Sequence, residues 1–328
     1  MTTTLTKRKP ILEIKGLKQY FPVKRESLFQ PRQEVKAVDD ISFTLFEGET
    51  LSIVGESGCG KSTTGRAILQ LDKPTEGTIK YNGVDLNSLS KKEMRKMRGD
   101  IQVIFQDPFA SLNPRQTVRK ILKEAMTIQK VVPPSQQEKR MRELLDYVGL
   151  PIISLDRLPH EFSGGQRQRI GIARALAVNP KIIICDEAVS ALDVSIQAQI
   201  LNLLKRLQKE FHLTYLFISH DLSVVRHISD RVMVMYLGKL VEVGSKHQLF
   251  QQPAHPYTKA LLSAIPVADI TTKSRERIIL KGDVPSPLNP PSGCKFHTRC
   301  PLATELCKAE LPPMIGNEGH FARCHYLQ

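Results

Sequence analysis

The sequence predicts an α/β fold built on a parallel sheet, and two observations support this. An apolar run, residues 51–54, leads into Gly55-Glu56-Ser57-Gly58-Cys59-Gly60-Lys61-Ser62-Thr63, and a helix-like segment, 64–71, follows it. Two more segments, 181–185 and 213–219, are continuously apolar, and an amphipathic helix joins them. Strands of this kind are typical of a parallel sheet that is covered by helices on both faces.

A second, antiparallel sheet is expected near the start of the chain. Residues 11–16 and 41–45 alternate between apolar and polar side chains, and 78–81 are similar. Asn82-Gly83 follows the third of these segments and is a strong hairpin-turn signal.

The glycine-rich stretch fits the phosphate-binding loop pattern G-x-x-x-x-G-K-[ST] in the strand-then-helix context that the pattern requires. Its backbone N–H groups and the start of the following helix would cradle a triphosphate. Lys61 would reach the β- and γ-phosphates, and the hydroxyl of Ser62 would take one position on Mg²⁺. The pattern alone does not choose among kinases, GTPases, motors and transporter ATPases.

A helical insert interrupts the α/β core at residues 109–175. The strand 101–105 ends at Gln106, and helical character begins soon after it. Ser135 and Glu138 have the spacing of a capping box, which predicts that a helix starts there. Gly149 is the predicted end of this helix.

Several polar residues fall at the ends of predicted parallel strands, where ligands bind in open α/β sheets. They are Gly55, Gln106, Asp186, Glu187 and His220. Asp186 ends an apolar strand and would support Mg²⁺ through water, while Glu187 would accept a proton from the attacking water. His220 would contact the γ-phosphate.

A second anion-binding helix start is predicted at Phe162-Ser163-Gly164-Gly165-Gln166, with the helix beginning near Gln166. One nucleotide cannot use two such sites that lie far apart in one chain. We therefore expect the second site to serve the nucleotide of a neighbouring protomer.

Composition narrows the class of protein. The 328 residues carry a formal charge of +14, with 41% apolar residues, no Trp and no run long enough for a membrane span. Basic residues cluster only at 91–98, which we interpret as a solvated helix face, so a membrane-surface location is favoured over nucleic acid. Residues 1–10 lack the apolar core of a secretory signal, which predicts a cytoplasmic protein.

The cysteines divide into two groups. Cys59 and Cys185 are expected to be small packed residues. The other four crowd into the proline-rich last 35 residues: Cys294, Cys300, Cys307 and Cys324. They lack the paired C-x₂₋₄-C spacing common in structural zinc sites, and four thiolates on a loop-rich segment also suit a [4Fe–4S] cluster. Unliganded thiols are the remaining alternative.

The motifs, in this order and spacing, resemble those of the ATP-binding cassette family over residues 11 to about 250. The matching stretches are 55–62 (Walker A), Gln106 (Q-loop), Ser163-Gly164-Gly165-Gln166 (signature), Asp186-Glu187 (Walker B and catalytic glutamate), 190–193 (D-loop) and His220 (switch histidine). The resemblance implies a P-loop NTPase fold with a RecA-like core, an antiparallel β-subdomain and a helical subdomain.

The same resemblance implies how ATP is bound. Phe21 would stack on the adenine, with Tyr20 as the alternative. Gly55, Ser57, Gly58, Cys59, Gly60, Lys61, Ser62, Thr63 and Gln106 would contact the nucleotide in the same chain. Ser163 to Gln166 and Asp193 would contact it from the other protomer, and Ser62, Gln106 and Asp186 would hold Mg²⁺.

The chain further resembles the bacterial dipeptide/oligopeptide permease ATPases, through residues 219–225, 255–258, 285–291 and the cysteine-bearing tail. This predicts a nucleotide-binding domain over 1–251 and a C-terminal extension over 252–328. The resemblance favours the dipeptide ATPase within this group, and nickel and antimicrobial-peptide importers are the alternatives. Relatives with matching cysteines favour [4Fe–4S] over zinc.

The resemblance also implies the partners. These are a second, non-identical ATPase in preference to a second copy, two transmembrane permease subunits and an extracytoplasmic peptide-binding protein, at the cytoplasmic face of the inner membrane. A cassette protein acting on nucleic acid is disfavoured, because the chain has one cassette and no heptad run. A regulatory cassette without hydrolysis is disfavoured by Glu187 and His220.

Overall fold

The computed structural model describes residues 8–23, 33–265 and 278–327. Most of the charged N-terminal stretch lies outside these ranges. The strands are β1 (Pro10–Pro22), β2 (Glu34–Phe46), β3 (Thr50–Val54), β4 (Glu76–Tyr81), β5 (Val84–Asp85), β6 (Ile101–Ile104), β7 (Ile182–Asp186), β8 (Thr214–Ser219), β9 (Arg231–Tyr236), β10 (Lys239–Ser245), β11 (Met314–Asn317) and β12 (His320–Arg323).

The helices are α1 (Lys61–Ile68), α2 (Lys91–Asp100), α3 (Pro108–Ser111), α4 (Val118–Gln129), α5 (Gln137–Val148), α6 (Gly164–Leu176), α7 (Val194–Phe211), α8 (Leu222–Ile228), α9 (Lys246–Gln251), α10 (Pro256–Ser263) and α11 (Glu305–Ala309). Within the described ranges the chain forms two compact units. The first contains residues 8–10, 46–50 and 88–219, and the second contains 11–23, 33–45, 51–87, 220–265 and 278–327.

The first unit contains a parallel sheet in the order β8-β7-β6. Nearly all residues of β7 and all of β8 are buried, as the continuous apolar runs predict. The register pairs Ile104 with Cys185 and Asp186 with Ile218. The carboxyl ends of these three strands therefore meet at one edge of the sheet.

Residues 108–176 of the first unit form helices and no strand. Helices α4 and α5 each bury one apolar face, and both pack with α6. The capping-box prediction for Ser135 and Glu138 is wrong, because a 3₁₀ turn occupies Pro134–Gln136 and α5 begins without a side-chain cap. The carboxylate of Glu138 instead pairs with Arg119 of α4.

The second unit contains the antiparallel sheet, in the order β2-β1-β4-β5. The turn between β4 and β5 has positive φ at both central residues, 47° at Asn82 and 81° at Gly83. Positive φ at both positions matches the right-handed twist of a two-residue hairpin and confirms the turn signal.

The second sheet of this unit has the order β3-β9-β10-β12-β11. Strands β3 and β9 are parallel, and the others are antiparallel. The C-terminal segment adds two strands to this sheet and buries Phe296, which is 1% exposed. The ring of Phe296 packs against Tyr236 and Tyr257, with centroids 5.2 and 5.3 Å away.

In the part of the chain that the structure describes, none of the helices combines the length and the apolar character needed to cross a bilayer.

Candidate functional site

The phosphate-binding loop joins β3 to α1 in the second unit. Gly60, at the N-cap of α1, has φ 103°, and a Cβ there would lie 2.1 Å from the carbonyl oxygen of Ala37. Only glycine fits this position. No side chain caps α1, and an uncapped helix start is a position at which proteins commonly bind anions.

Lys61 is 4% exposed, and its ammonium group is held against the loop. Its Nζ donates hydrogen bonds to the carbonyl oxygens of Gly55 at 2.8 Å and Glu56 at 3.0 Å. Ser57 and Gly58 are exposed, Cys59 is buried as predicted, and Ser62 and Thr63 are half-buried. The loop therefore combines a fixed positive charge with a helix start, which is the arrangement that binds phosphate.

Glu56, a loop residue that was not among the predicted site residues, is bonded through both its backbone and its side chain. Its N–H donates to the hydroxyl of Tyr257 at 3.0 Å. Its carboxylate accepts two hydrogen bonds from Arg299, at 2.7 and 3.1 Å. Both partners belong to the C-terminal part of the chain.

Phe21 and Tyr20 are the two candidates for stacking on adenine, and they differ in the contacts that their side chains already make. The hydroxyl of Tyr20 donates to Asp39 at 2.7 Å, and the ammonium of Lys36 lies 5.6 Å from its ring centroid. Phe21 lies one residue before the end of β1 and is 38% exposed. An exposed ring can take up a ligand without breaking such contacts, which favours Phe21.

In the first unit, Gln106 and Glu187 lie together at the carboxyl edge of the sheet. The Nε2 of Gln106 donates to the Oε2 of Glu187 at 2.9 Å. Asp186 ends β7, and Glu187 follows it with φ 49°, in the left-handed region. This unusual backbone conformation for a non-glycine residue changes the chain direction directly after the strand.

The signature stretch also lies in the first unit. Helix α6 begins at Gly164, not near Gln166, and Ser163 is its N-cap. The Ser163 N–H donates to Gln166 Oε1 at 3.0 Å, and the Gln166 N–H donates to Ser163 Oγ at 3.4 Å. This capping box occupies the N–H groups of Ser163 and Gln166, two of those at the predicted anion-binding helix start. At Gly165, a Cβ would lie 2.6 Å from Ile196 Cγ2.

Two further predicted residues lie beside helix starts. Asp193 is the N-cap of α7 and accepts from the N–H of Ile196 at 3.0 Å. The hydroxyl of Ser195 donates to the same carboxylate at 2.7 Å and, with that N–H group, holds the pKa of Asp193 below its usual range. His220 is exposed and follows β8, directly before Asp221, the N-cap of α8.

The four C-terminal cysteines line one small cavity in the second unit. All six cysteines of the chain are free thiols. Burial raises the pKa of Cys294 to about 11 and also raises that of Cys300. The described residues nevertheless contain no group of three or more His, Cys, Asp or Glu side chains arranged to hold a metal ion. The donor set fits a cluster, but the present arrangement does not form a metal site.

Comparisons with known proteins agree with this geometry. Residues 38–190 match the family model described as ABC transporter, and residues 241–307 match the one described as oligopeptide/dipeptide transporter, C-terminal region. The chain is 57% identical over 326 residues to the oligopeptide transport ATP-binding protein AppF of Bacillus subtilis, covering 98% of this chain and 99% of that protein. It is 51% identical over 328 residues to OppF of Salmonella typhimurium, covering 99% and 98%.

Solved structures show the same fold. The ATP-binding cassette MJ0796, in a dimeric post-hydrolysis state bound to ADP and Pi, is similar with a TM-score of 0.63 and 31% identity, covering 72% of this chain and 99% of that one. CbiO1 from Clostridium perfringens has a TM-score of 0.64 and 28% identity, covering 74% and 91%. The chain therefore belongs to the ABC transporter ATPases, within the oligopeptide/dipeptide permease type.

Proposed function

We propose that this ABC ATPase powers the uptake of oligopeptides into a bacterial cell. The observation that carries the proposal is similarity over nearly the whole chain, C-terminal segment included, to two proteins named for oligopeptide transport. The phosphate loop, with its uncapped helix start and buried Lys61, supplies the ATP-binding element. The names of these relatives favour oligopeptides over the dipeptides predicted from the sequence.

Each site residue has a proposed role in hydrolysis. Lys61 and the loop N–H groups bind the β- and γ-phosphates, Ser62, Gln106 and Asp186 hold Mg²⁺, and Phe21 stacks on adenine. Glu187 accepts the proton of the attacking water, and His220 contacts the γ-phosphate. The hydrogen bond from Gln106 supports this role of Glu187, because it fixes the carboxylate that must align the water.

The proposed working form is a head-to-tail pair with a non-identical ATPase. Each ATP lies between the phosphate loop of one protomer and Ser163 to Gln166, with Asp193, of the other. The capping box fixes the first turn of α6 before any nucleotide arrives, and since it uses the N–H groups of Ser163 and Gln166, the two glycines between them would supply the backbone contacts. The pair would sit beneath two transmembrane permease subunits, at the cytoplasmic face of the inner membrane, fed by an extracytoplasmic peptide-binding protein.

We propose that residues 1–251 form the nucleotide-binding domain, with helical subdomain 109–175, and that 252–328 form the extension. Cys294, Cys300, Cys307 and Cys324 would hold a [4Fe–4S] cluster, or Zn²⁺ as the alternative, after a local rearrangement of the cavity that they line. The bound group would supply folding energy to this loop-rich segment. Analysis of the anaerobically purified protein for iron, sulfide and zinc distinguishes the cluster from Zn²⁺. Protein free of all three would contradict the metal proposal.

Detergent extraction of the protein from its own membranes tests the transport proposal. We expect two integral membrane proteins and a second ATPase to co-purify. In proteoliposomes, the binding protein loaded with an oligopeptide should stimulate ATP hydrolysis, while dipeptide and nickel should not. Stimulation by nickel or dipeptide alone would reassign the substrate, and a chain that never associates with integral membrane proteins would overturn the proposal.

A further inference from the structure

The phosphate-binding loop is held from outside by the C-terminal part of the chain. Tyr257 accepts the N–H of Glu56 at 3.0 Å, and Arg299 donates to both carboxylate oxygens of Glu56. The carbonyl oxygen of Glu56 accepts from Lys61 Nζ. Glu56 is thus fixed through its backbone and its side chain at once, and Lys61, which reaches the phosphates, is bonded to the same residue.

The ion pair between Arg299 and Glu56 differs from an ordinary surface pair. The side chain of Arg299 is 8% exposed and that of Glu56 is 28% exposed, while exposed pairs contribute little. The pair is bidentate, which fixes both planar groups in one geometry. The hydrogen bonds to Glu56 raise the pKa of Arg299 above its usual range.

Arg299 is itself held in place by the aromatic cluster. Its guanidinium lies 5.9 Å from the ring centroid of Tyr236. The ring of Tyr236 packs edge-on against Tyr257, with centroids 4.8 Å apart, and against Phe296. The backbone N–H of Arg299 donates to the backbone carbonyl oxygen of Phe296 at 3.0 Å. The side chain of Arg299 therefore loses little conformational entropy when it binds Glu56.

The charge of Glu56 explains why the pair matters for nucleotide binding. A carboxylate inside a phosphate-binding loop repels the phosphates of a nucleotide, and the repulsion is strong where water is partly excluded. A guanidinium bonded to both carboxylate oxygens cancels that charge.

We propose that Arg299 is a positioning residue for nucleotide binding, which holds and neutralises Glu56 in the phosphate loop. The inference rests on the assignment of this loop to ATP. It adds a residue of the C-terminal segment, 243 positions away in sequence, to the determinants of nucleotide affinity.

The test is the equilibrium Kd of the full-length chain for a fluorescent ADP analogue with Mg²⁺. Arg299→Gln leaves Glu56 charged and unpaired, so we expect the Kd to rise about tenfold. Arg299→Lys restores the charge without the bidentate geometry, and it should recover part of the affinity. Glu56→Gln combined with Arg299→Gln removes both charges and should return the Kd to within about threefold of the wild type.

Arg323→Gln is the matched control. Arg323 also lies in the C-terminal segment and donates to the carbonyl oxygens of Leu240 and Pro312, with no contact to the loop among the described residues. Its Kd should equal that of the wild type. Thermal unfolding of every variant separates loss of fold from loss of affinity.

The outcomes are distinguishable. A wild-type Kd in Arg299→Gln, an equal loss in Arg323→Gln, or a double variant as weak as Arg299→Gln would overturn the inference. A wild-type chain that binds no nucleotide would instead overturn the assignment of the loop to ATP.

Discussion

Gln106 donates a hydrogen bond from Nε2 to the Oε2 of Glu187 at 2.9 Å, although the two residues are 81 positions apart. The parallel register of β6 and β7, with Ile104 opposite Cys185, brings their carboxyl ends together. Gln106 thereby orients the carboxylate proposed to activate water. The hydrogen bond thus connects the residues that precede the helical insert to Glu187, the proposed catalytic base.

Glu187→Gln should abolish turnover while preserving ATP binding. The amide cannot accept a proton from water, so kcat should fall by about 10²–10⁴. Glu143→Gln, on α5, is the control, since Glu143 pairs only with Arg140 among the described residues. Steady-state hydrolysis by the assembled transporter is the measurement, and a variant that works at the parental rate would contradict the assignment of Glu187 as the base.

Gln106→Leu should lower kcat, and it should also raise KM for ATP, because Gln106 is proposed to hold Mg²⁺. The substitution removes the donor that orients Glu187, and misplacement of a reacting group costs roughly ten- to hundredfold. Gln102→Leu, in the strand that precedes Gln106, is the control, because Gln102 donates to the carbonyl of Arg98 in α2 instead. Equal kcat values for the two variants would show that the hydrogen bond to Glu187 has no role in turnover.

Gly165→Ala should destabilise the first unit. The new Cβ would lie 2.6 Å from Ile196 Cγ2, so either the Ile196 side chain must leave its rotamer or α6 and α7 must move apart, at a cost of about 1–3 kcal/mol. Gly171→Ala, on the same helix, meets no neighbouring atom within 4 Å and should be neutral or stabilising by about 0.4–1 kcal/mol. Urea denaturation compares them, and equal stabilities would refute the steric argument.

Phe21→Ala should weaken ATP binding through loss of stacking on adenine. Base-to-aromatic stacking is worth about 1–3 kcal/mol, which corresponds to a Kd roughly ten- to hundredfold higher. Tyr20→Phe keeps a ring at the neighbouring position and removes only the hydrogen bond to Asp39, so its Kd should not change. An unchanged Kd in Phe21→Ala, together with a raised Kd in Tyr20→Ala, would reassign the stacking to Tyr20.

The free energy of unfolding should fall as the pH drops from about 6.5 to about 4. Burial lowers the pKa of His255 to about 4, so the unfolded chain binds this proton in that window and the folded chain does not. The loss should reach about 3 kcal/mol. For Glu242, burial favours the neutral form, but hydrogen bonds from His320 and two backbone N–H groups outweigh it and lower its pKa. The contribution of Glu242 to the free energy of unfolding is therefore also lost as the pH falls.

Urea denaturation at several pH values measures this dependence. His255→Asn keeps an acceptor for the N–H of Tyr257 but cannot titrate, so its stability should change less with pH. An unchanged slope in this variant would show that His255 is not the responsible group.

The phosphate loop and the strand ends could be predicted because each is a short, local pattern. The two capping boxes show where local patterns succeed and fail. Ser163 and Gln166 have the capping-box spacing, and the capping box is present. The helix was predicted to start near Gln166, but it starts at Gly164. At Ser135 the same spacing is present, but Arg119 of another helix takes Glu138. Tertiary contacts decide such cases, and a single sequence does not show them.

The Arg299 to Glu56 pair was beyond prediction for the same reason, and the separation of its partners has a consequence for biosynthesis. The loop leaves the ribosome long before the arginine, which lies 243 residues later. A nascent or prematurely terminated copy can carry every nucleotide-contacting motif and still lack the guanidinium that neutralises its carboxylate. Incomplete copies would therefore bind nucleotide poorly, and full affinity would arise only when synthesis is nearly finished.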